Sequence, residues 1–397
     1  MKNQHDKSFP PITPEIQANS EQVKTTIINK IKRAGGRLNF ADYMQLALYA
    51  PGEGYYVSGA QKFGESGDFV TAPQISALYS KCLAKQISQV LAVIPEGNIL
   101  EFGAGTGIMA ADILIELEKL NQLPKKYWIL ELSPELRQRQ QQTLANKAPH
   151  LLHYVTWLDA LPNQAFDGVI LANEVLDAMP VHIVQLHDSE NHQEYYVSEE
   201  NNQLDWQLGE LSDPKLINAI KKITHHMTEP LSADYQTEIN LQLTGWINSL
   251  SDILQQGIAL LVDYGFPRHE YYHPDRSQGT LMCHFQHHAH GNPLVLPGVQ
   301  DITAHVDFTS VAESAVNAGF SVMGYTNQAY FLLGCGIEQY LLNIDSNDTK
   351  TYLQYSQQIK KLTMPNEMGE LFKCIALGKN MDMNLMGFSM IDQRGKL

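Results

Sequence analysis

A short apolar run, Ile99-Leu100-Glu101-Phe102, breaks into three alternating glycines, Gly103, Gly105 and Gly107, and resumes at Ile108 with helical spacing. A strand, a glycine turn and a helix in that order gather backbone N–H groups and a helix N-terminus around a ligand. The same order belongs to sheets in which strands and helices alternate. The surrounding sequence keeps that alternation. "NILEF" (98–102), "YWILEL" (127–132), "HYVTW" (153–157) and "FDGVILAN" (166–173) read as four strands, with helical patterns from Ile108 to Leu120 and from Pro134 to Ala145. Buried-strand character returns in "IALLVDYG" (258–265), "GFSVMGY" (319–325) and "LFKCIALGK" (371–379). An α/β, doubly wound, mostly parallel sheet is the expected fold.

Two segments lie outside this rhythm. Ahead of it, Val23, Ile27, Ile28 and Ile31 recur at helical spacing before Gly35-Gly36. Asn39 is placed to cap a second helix, and a further helical pattern runs from Ile75 to Val93. Between the fourth and fifth strands, "VHIVQLHDSENHQEYYV" (181–197) reads as a β-hairpin opening an insertion. The expected organisation is a helical N-terminal extension (1–80), a first part of the core (81–180), the insertion (181–255) and a second part of the core (256–397).

The glycine spacing selects the ligand. Dinucleotide loops space their glycines G-x-G-x-x-G and seat a pyrophosphate on the helix end. Here the spacing is G-x-G-x-G, and Glu101 stands two residues before it. A carboxylate beside a pyrophosphate is repelled, whereas one beside a cation is attracted. S-adenosylmethionine carries a sulfonium and an α-ammonium and no phosphate, so Glu101 suits its amino acid end. Glu131 ends the second strand, where an acid takes ribose hydroxyls. Asp159 follows the third and is placed to accept the adenine amino group. The spacing and Glu101 together argue against an NAD-dependent oxidoreductase.

After the fourth strand comes "ANEVLDAMP", with Asn173, Glu174 and Asp177. In an open α/β sheet ligands bind outside the carboxyl ends of strands. A helical turn would face Glu174 and Asp177 toward one space, where paired carboxylates could grip a guanidinium. The plainer alternative is a helix cap whose acids favour the dipole.

The rest of the composition narrows the partners. Lys and Arg number 28 against 43 Asp and Glu, a formal charge of −15, which argues against nucleic acid. No run of 18 apolar residues occurs, so no membrane span is expected. The four cysteines lie far apart without a CxxC pair, and the first residues carry neither an apolar signal core nor an Arg-rich transit pattern. A cytoplasmic setting is the expectation. Five histidines (His284, His287, His288, His290, His305) fall between residues 279 and 308, but their spacing matches no regular ligand pattern, and no metal is expected.

The chain resembles the MidA-type family of class I S-adenosylmethionine-dependent methyltransferases. The resemblance runs through "YMQLALYAPGEGYY" (43–56), "GDFVTAP" (67–73), "EFGAGTG" (101–107), "ELSPELRQRQ" (131–140), "NEVLDAMPVH" (173–182), "VDYG" (262–265) and "QDITAHVDF" (300–308). It implies a seven-stranded core with a helical N-terminal extension and an insertion after strand four. Glu101, Gly103, Gly105, Gly107, Glu131, Leu132, Asp159 and Asn173 would line the cofactor site, and Gly67, Asp68, Thr71 and Pro73 would close over it. Glu174, Asp177 and Asn173 would serve the methyl acceptor. The mitochondrial branch methylates protein arginine and is required for respiratory complex I assembly, which implies a protein substrate here; the N-terminus resembles the bacterial branch. The family reads Pro-Glu where this chain has Pro73-Gln74. Two other readings keep the cofactor: methyl transfer to a small molecule or another nucleophile, and an assembly factor acting through protein contact.

Overall fold

The computed structural model describes residues 9–58, 71–187, 191–225 and 234–397. The chain divides into two compact units, one of Met1–Val70, Ala178–Gln242 and Tyr272–Ala304, the other of Thr71–Asp177, Leu243–Tyr271 and His305–Leu397.

The second unit is built on a twisted sheet. Its strands are β1 (Asn98–Phe102), β2 (Tyr127–Leu130), β3 (Val155–Leu158), β4 (Phe166–Asn173), β5 (Leu254–Phe266), β6 (Ser321–Asn327) and β7 (Phe372–Lys379), and they lie in the order 3-2-1-4-5-7-6. β3 through β5 are mutually parallel and β7 runs antiparallel to both its neighbours. An eighth, two-residue strand, Val306–Asp307, pairs with the end of β5. The central strands are apolar on both faces: Ile99, Leu100, Val169, Ile170, Ile258, Ala259, Leu260 and Leu261 are all buried. Helices on both faces make that burial possible. Helix Ala77–Leu91 contributes Leu78, Cys82, Leu83, Ile87 and Val90 to the core, and Ile108–Lys119 contributes Ile113, Leu114 and Leu117.

Two details differ from the sequence pattern. The helical run expected from Ile75 is interrupted: Ala72–Ile75 is a single turn, Ser76 is extended at φ −158°, and the long helix restarts at Ala77 with the Ser76 side chain accepting the Leu78 N–H. The third strand starts at Val155, because Pro149–Tyr154 coils as a 3₁₀ helix.

In the first unit, helix Pro14–Arg33 packs Val23, Ile27 and Ile31 against Phe40, Tyr43, Met44 and Ala47 of helix Phe40–Tyr49, whose cap is the predicted Asn39, accepting the Asp42 N–H at 2.8 Å. The hairpin strands are His182–Leu186 and Gln193–Glu200; the middle of its turn, 188–190, lies outside the described residues. They join Arg37–Asn39, Gln203–Gly209 and Tyr235–Ile239 in one antiparallel sheet. The segment expected to continue the core from 256 to 397 is corrected in part. Tyr272–Ala304 belongs to this unit, since Cys283, Ile302 and Ala304 are buried in the same apolar cluster as Val23 and Tyr43. The N-terminal extension and the insertion share one core, which composition alone does not reveal. No helix among the described residues is long and apolar enough to cross a membrane.

Candidate active site

The strand order reverses between β1 and β4, so the crevice at a doubly wound sheet's switch point opens between the glycine loop and Asn173. Across the carboxyl ends of β3, β2, β1, β4 and β5 stand Asp159, Glu131, Glu101, Glu174 and Asp263, in that spatial order.

All three glycines of the loop have positive φ: +60° at Gly103, +53° at Gly105 and +79° at Gly107. Gly107 caps helix Ile108–Lys119, and a Cβ there would meet the Gln140 Cα at 2.9 Å. Only glycine fits such a path cheaply.

Glu101 is fully buried; its Oε2 accepts the Tyr127 hydroxyl at 2.7 Å, while its Oε1 has no hydrogen-bond partner. Burial pushes its carboxyl up to about 7, with the charge of Glu131 adding to the rise and the Tyr127 hydrogen bond opposing it. A buried acceptor left unsatisfied costs free energy. A cationic group at this door would satisfy the orphaned oxygen, so the structure fits the ammonium of S-adenosylmethionine.

Glu131 follows β2 directly. Its Oε1 accepts the Ser133 N–H at 2.9 Å and its Oε2 the Gln140 amide at 2.9 Å, which together set the orientation of the carboxylate at the strand end. Leu132 beside it is 67% exposed, an apolar surface suited to an adenine face. Asp159 sits at the end of β3 with its side chain 88% exposed, paired at 2.7 Å with Arg137. It is the least enclosed of the row. Gly67 and Asp68 lie outside the described residues. Thr71 precedes the single turn Ala72–Ile75, which lies beside helix Ile108–Lys119 and buries Pro73. Gln74 accepts the Thr71 N–H at 3.4 Å, a capping-box role that glutamine fills as well as glutamate.

The "NEVLDAMP" stretch corrects the expected local structure: it is neither a helical turn nor a helix cap. Asp263 Oδ2 accepts the backbone N–H groups of Val175, Leu176 and Asp177 at 3.1, 2.8 and 3.2 Å and draws the chain into an irregular turn. Glu174 at its head has φ +54°, a left-handed conformation rare for a residue with a side chain. Its Oε1 accepts the Asn173 amide at 3.1 Å and its Oε2 the Tyr264 hydroxyl at 3.1 Å, while Asn173 Oδ1 accepts the Tyr79 hydroxyl. Burial and the nearby acids hold both tyrosines well above their ordinary range, so each hydroxyl remains a donor. Glu174 is thereby fixed as the acceptor of the network. Asp177 is buried. Burial also raises Asp263, against the opposing pull of its backbone donors.

Asp263, Tyr264, Tyr79, Tyr127 and Gln140 are functional candidates that the residue-by-residue reading passed over. The acid ending the apolar run "IALLVD" carried the same signal as Glu101 and Glu131. Of the five histidines in that window, His284 lies on strand Met282–Phe285 and His288 and His290 on strand His288–His290, and among the described residues no three His, Cys, Asp or Glu side chains gather to hold a metal.

A seven-stranded sheet of order 3-2-1-4-5-7-6 with a glycine loop and an acid at successive strand ends defines a class I S-adenosylmethionine-dependent methyltransferase. A family model described as "Putative S-adenosyl-L-methionine-dependent methyltransferase" matches residues 82–326, and the chain belongs to that family. A protein from Burkholderia thailandensis, solved bound to S-adenosyl-homocysteine, superposes with a TM-score of 0.93 at 42% identity, covering 98% of this chain and 100% of that one. Two curated relatives named protein arginine methyltransferase NDUFAF7, mitochondrial or its homolog are each 28% identical over 92% of this chain: the Drosophila melanogaster protein, 87% covered, and the human one, 84% covered. S-adenosylmethionine is the cofactor.

Proposed function

We propose that the chain methylates a guanidinium nitrogen of an arginine in a protein substrate. The observation that carries this reading is Glu174, held in a strained backbone conformation with both carboxylate oxygens oriented by Asn173 and Tyr264 at the switch-point edge. The names of the fly and human relatives support the same acceptor.

S-adenosylmethionine supplies a methyl group already activated on a sulfonium, so alignment and exclusion of water are what the protein must add. Glu101 and Glu131 would hold the amino acid end and the ribose. Two N–H···O contacts to Glu174 would seat the planar guanidinium with one of the two held nitrogens turned to the methyl group. Glu174 then takes the proton that this nitrogen sheds. Asp177 and Asp263 add negative potential that favours a cationic side chain. Four cysteines, all unpaired and buried, suit a reducing compartment such as the cytoplasm, and the family resemblance suggests a part in respiratory complex I assembly.

The test is Glu174→Gln, assayed with labelled S-adenosylmethionine on arginine-containing protein and, in parallel, for S-adenosylhomocysteine binding by calorimetry. Cofactor affinity within a few-fold of wild type and a loss of arginine methylation of about 100-fold are expected, since the amide keeps the shape and removes the charge. Unchanged arginine methylation would defeat the reading; label appearing on small molecules alone would transfer it to a different acceptor.

A further inference from the structure

Helix Pro134–Lys147 bears two side chains one turn apart that reach the two cofactor acids on the strand ends. Arg137 donates to the Glu131 carbonyl, the Leu158 carbonyl and Asp159 Oδ1. Gln140, fully buried, reaches further. Its amide nitrogen donates to Glu131 Oε2 at 2.9 Å and to the Gly105 carbonyl at 3.1 Å, and its amide oxygen accepts the Trp157 indole N–H at 2.8 Å.

We propose that Gln140 is a positioning residue for cofactor binding, coupling the ribose acid Glu131 to the backbone of the glycine loop. The inference rests on the cofactor assignment and is independent of the acceptor, so it survives failure of the arginine reading.

Three features carry it. First, the orientation of the amide is determined: an indole N–H can only donate, so the Gln140 oxygen faces Trp157 and both amide N–H groups face Glu131 and Gly105. Second, a trans peptide sets its C=O and N–H in opposite directions, so tying the Gly105 carbonyl toward Gln140 aims the Thr106 N–H away from the helix. Third, Gly107 passes so close to the Gln140 Cα that loop and helix cannot shift independently. Glu131 is thus fixed at one oxygen by the N-cap turn of this helix, through Ser133, and at the other by the helix's second turn. A structural side chain filling the same space would support the helix. It would not select one orientation of Glu131.

Gln140→Glu keeps the shape and the bond from Trp157 while placing a second carboxyl against Glu131. Two carboxyls in contact share a proton and repel once both ionise. Calorimetry would follow S-adenosylhomocysteine and its 2′-deoxyribose analogue between pH 6 and 9, with thermal unfolding recorded in parallel. Gln140→Leu, which removes all three hydrogen bonds at similar volume, is the second variant. Relative to wild type at the same pH, we expect Gln140→Glu to weaken S-adenosylhomocysteine by about tenfold or more at pH 8, with that deficit shrinking toward pH 6, the size expected of a charge-assisted contact. In both variants the wild-type preference for the ribose over the deoxyribose ligand should shrink. Wild-type affinity with the wild-type pH response in Gln140→Glu would overturn the proposal. So would variants that unfold earlier yet keep the full ribose preference, because they would leave Gln140 as packing alone.

Discussion

The carboxylate of Asp263 accepts the backbone N–H of Leu176 at 2.8 Å, joining two residues separated in sequence by the whole insertion. Three successive N–H groups converge on that one oxygen, and the Tyr264 N–H reaches the other at 2.9 Å. The turn that presents Glu174 is therefore shaped from β5, by a residue that is not itself aimed at substrate.

Asp263→Asn tests this. An amide accepts at one atom only, so it cannot serve both sets of donors. A stability loss of about 1.5–3 kcal/mol is expected from the lost charge-assisted bonds, read by urea unfolding. Methyl transfer should fall further than S-adenosylhomocysteine binding, because the turn serves the acceptor side.

Glu101 predicts a pH dependence of cofactor binding. Its folded carboxyl is raised from 4.5 to about 7, so the stability gained from keeping it protonated is present below 4.5 and lost as pH rises through about 7. A ligand ammonium favours the ionised form, so binding expels this proton inside that window. Affinity for S-adenosylmethionine should climb with pH toward about 7, by at most roughly tenfold per unit for one proton. Calorimetry in buffers of different ionisation enthalpy reads the proton directly. In Glu101→Gln the slope should vanish and the ligand-free protein should unfold later at pH 8.

Gly105→Val should end cofactor binding. At φ +53° a β-branched side chain is strained by roughly 1–2 kcal/mol or more, and relief of that strain would rotate the carbonyl held by Gln140. S-adenosylhomocysteine should no longer raise the melting temperature of the variant; an unchanged shift would remove the loop from the site.

Glu131→Ala should weaken S-adenosylhomocysteine by about 10–100-fold, the equivalent of one charge-assisted contact of ~1.5–3 kcal/mol. An unchanged dissociation constant would take Glu131 out of the site.

Much of the core was legible because its signals are local. The glycine loop, the apolar strands and the acids that end them all sit within a few residues of one another in sequence. The cap at Asn39 and the buried Val23, Ile27 and Ile31 were equally readable from spacing. What escaped depends on distance. Glu174 and Asp177 invite a helical reading when only their own neighbours are counted, whereas an acid 86 residues beyond Asp177 decides the turn. Tyr79 and Gln140 sit on helices whose patterns explain them as ordinary core, and only the assembled sheet shows their hydroxyl and amide turned to the site. The sharing of one core by Val23 and Cys283 is likewise invisible in composition, since no charge or apolar shift marks residue 272 or 304.

The placement of β7 bears on how the chain is made. It enters between β5 and β6, both of which precede it in the sequence. A ribosome therefore releases β5 with one flank of unpaired backbone groups, and that flank stays open for more than a hundred further residues of synthesis. Unpaired strand edges recruit other chains. The apolar β5 is thus the segment of the nascent polypeptide most in need of a chaperone's cover, and a message truncated shortly before residue 372 would yield an aggregate rather than a weakened enzyme.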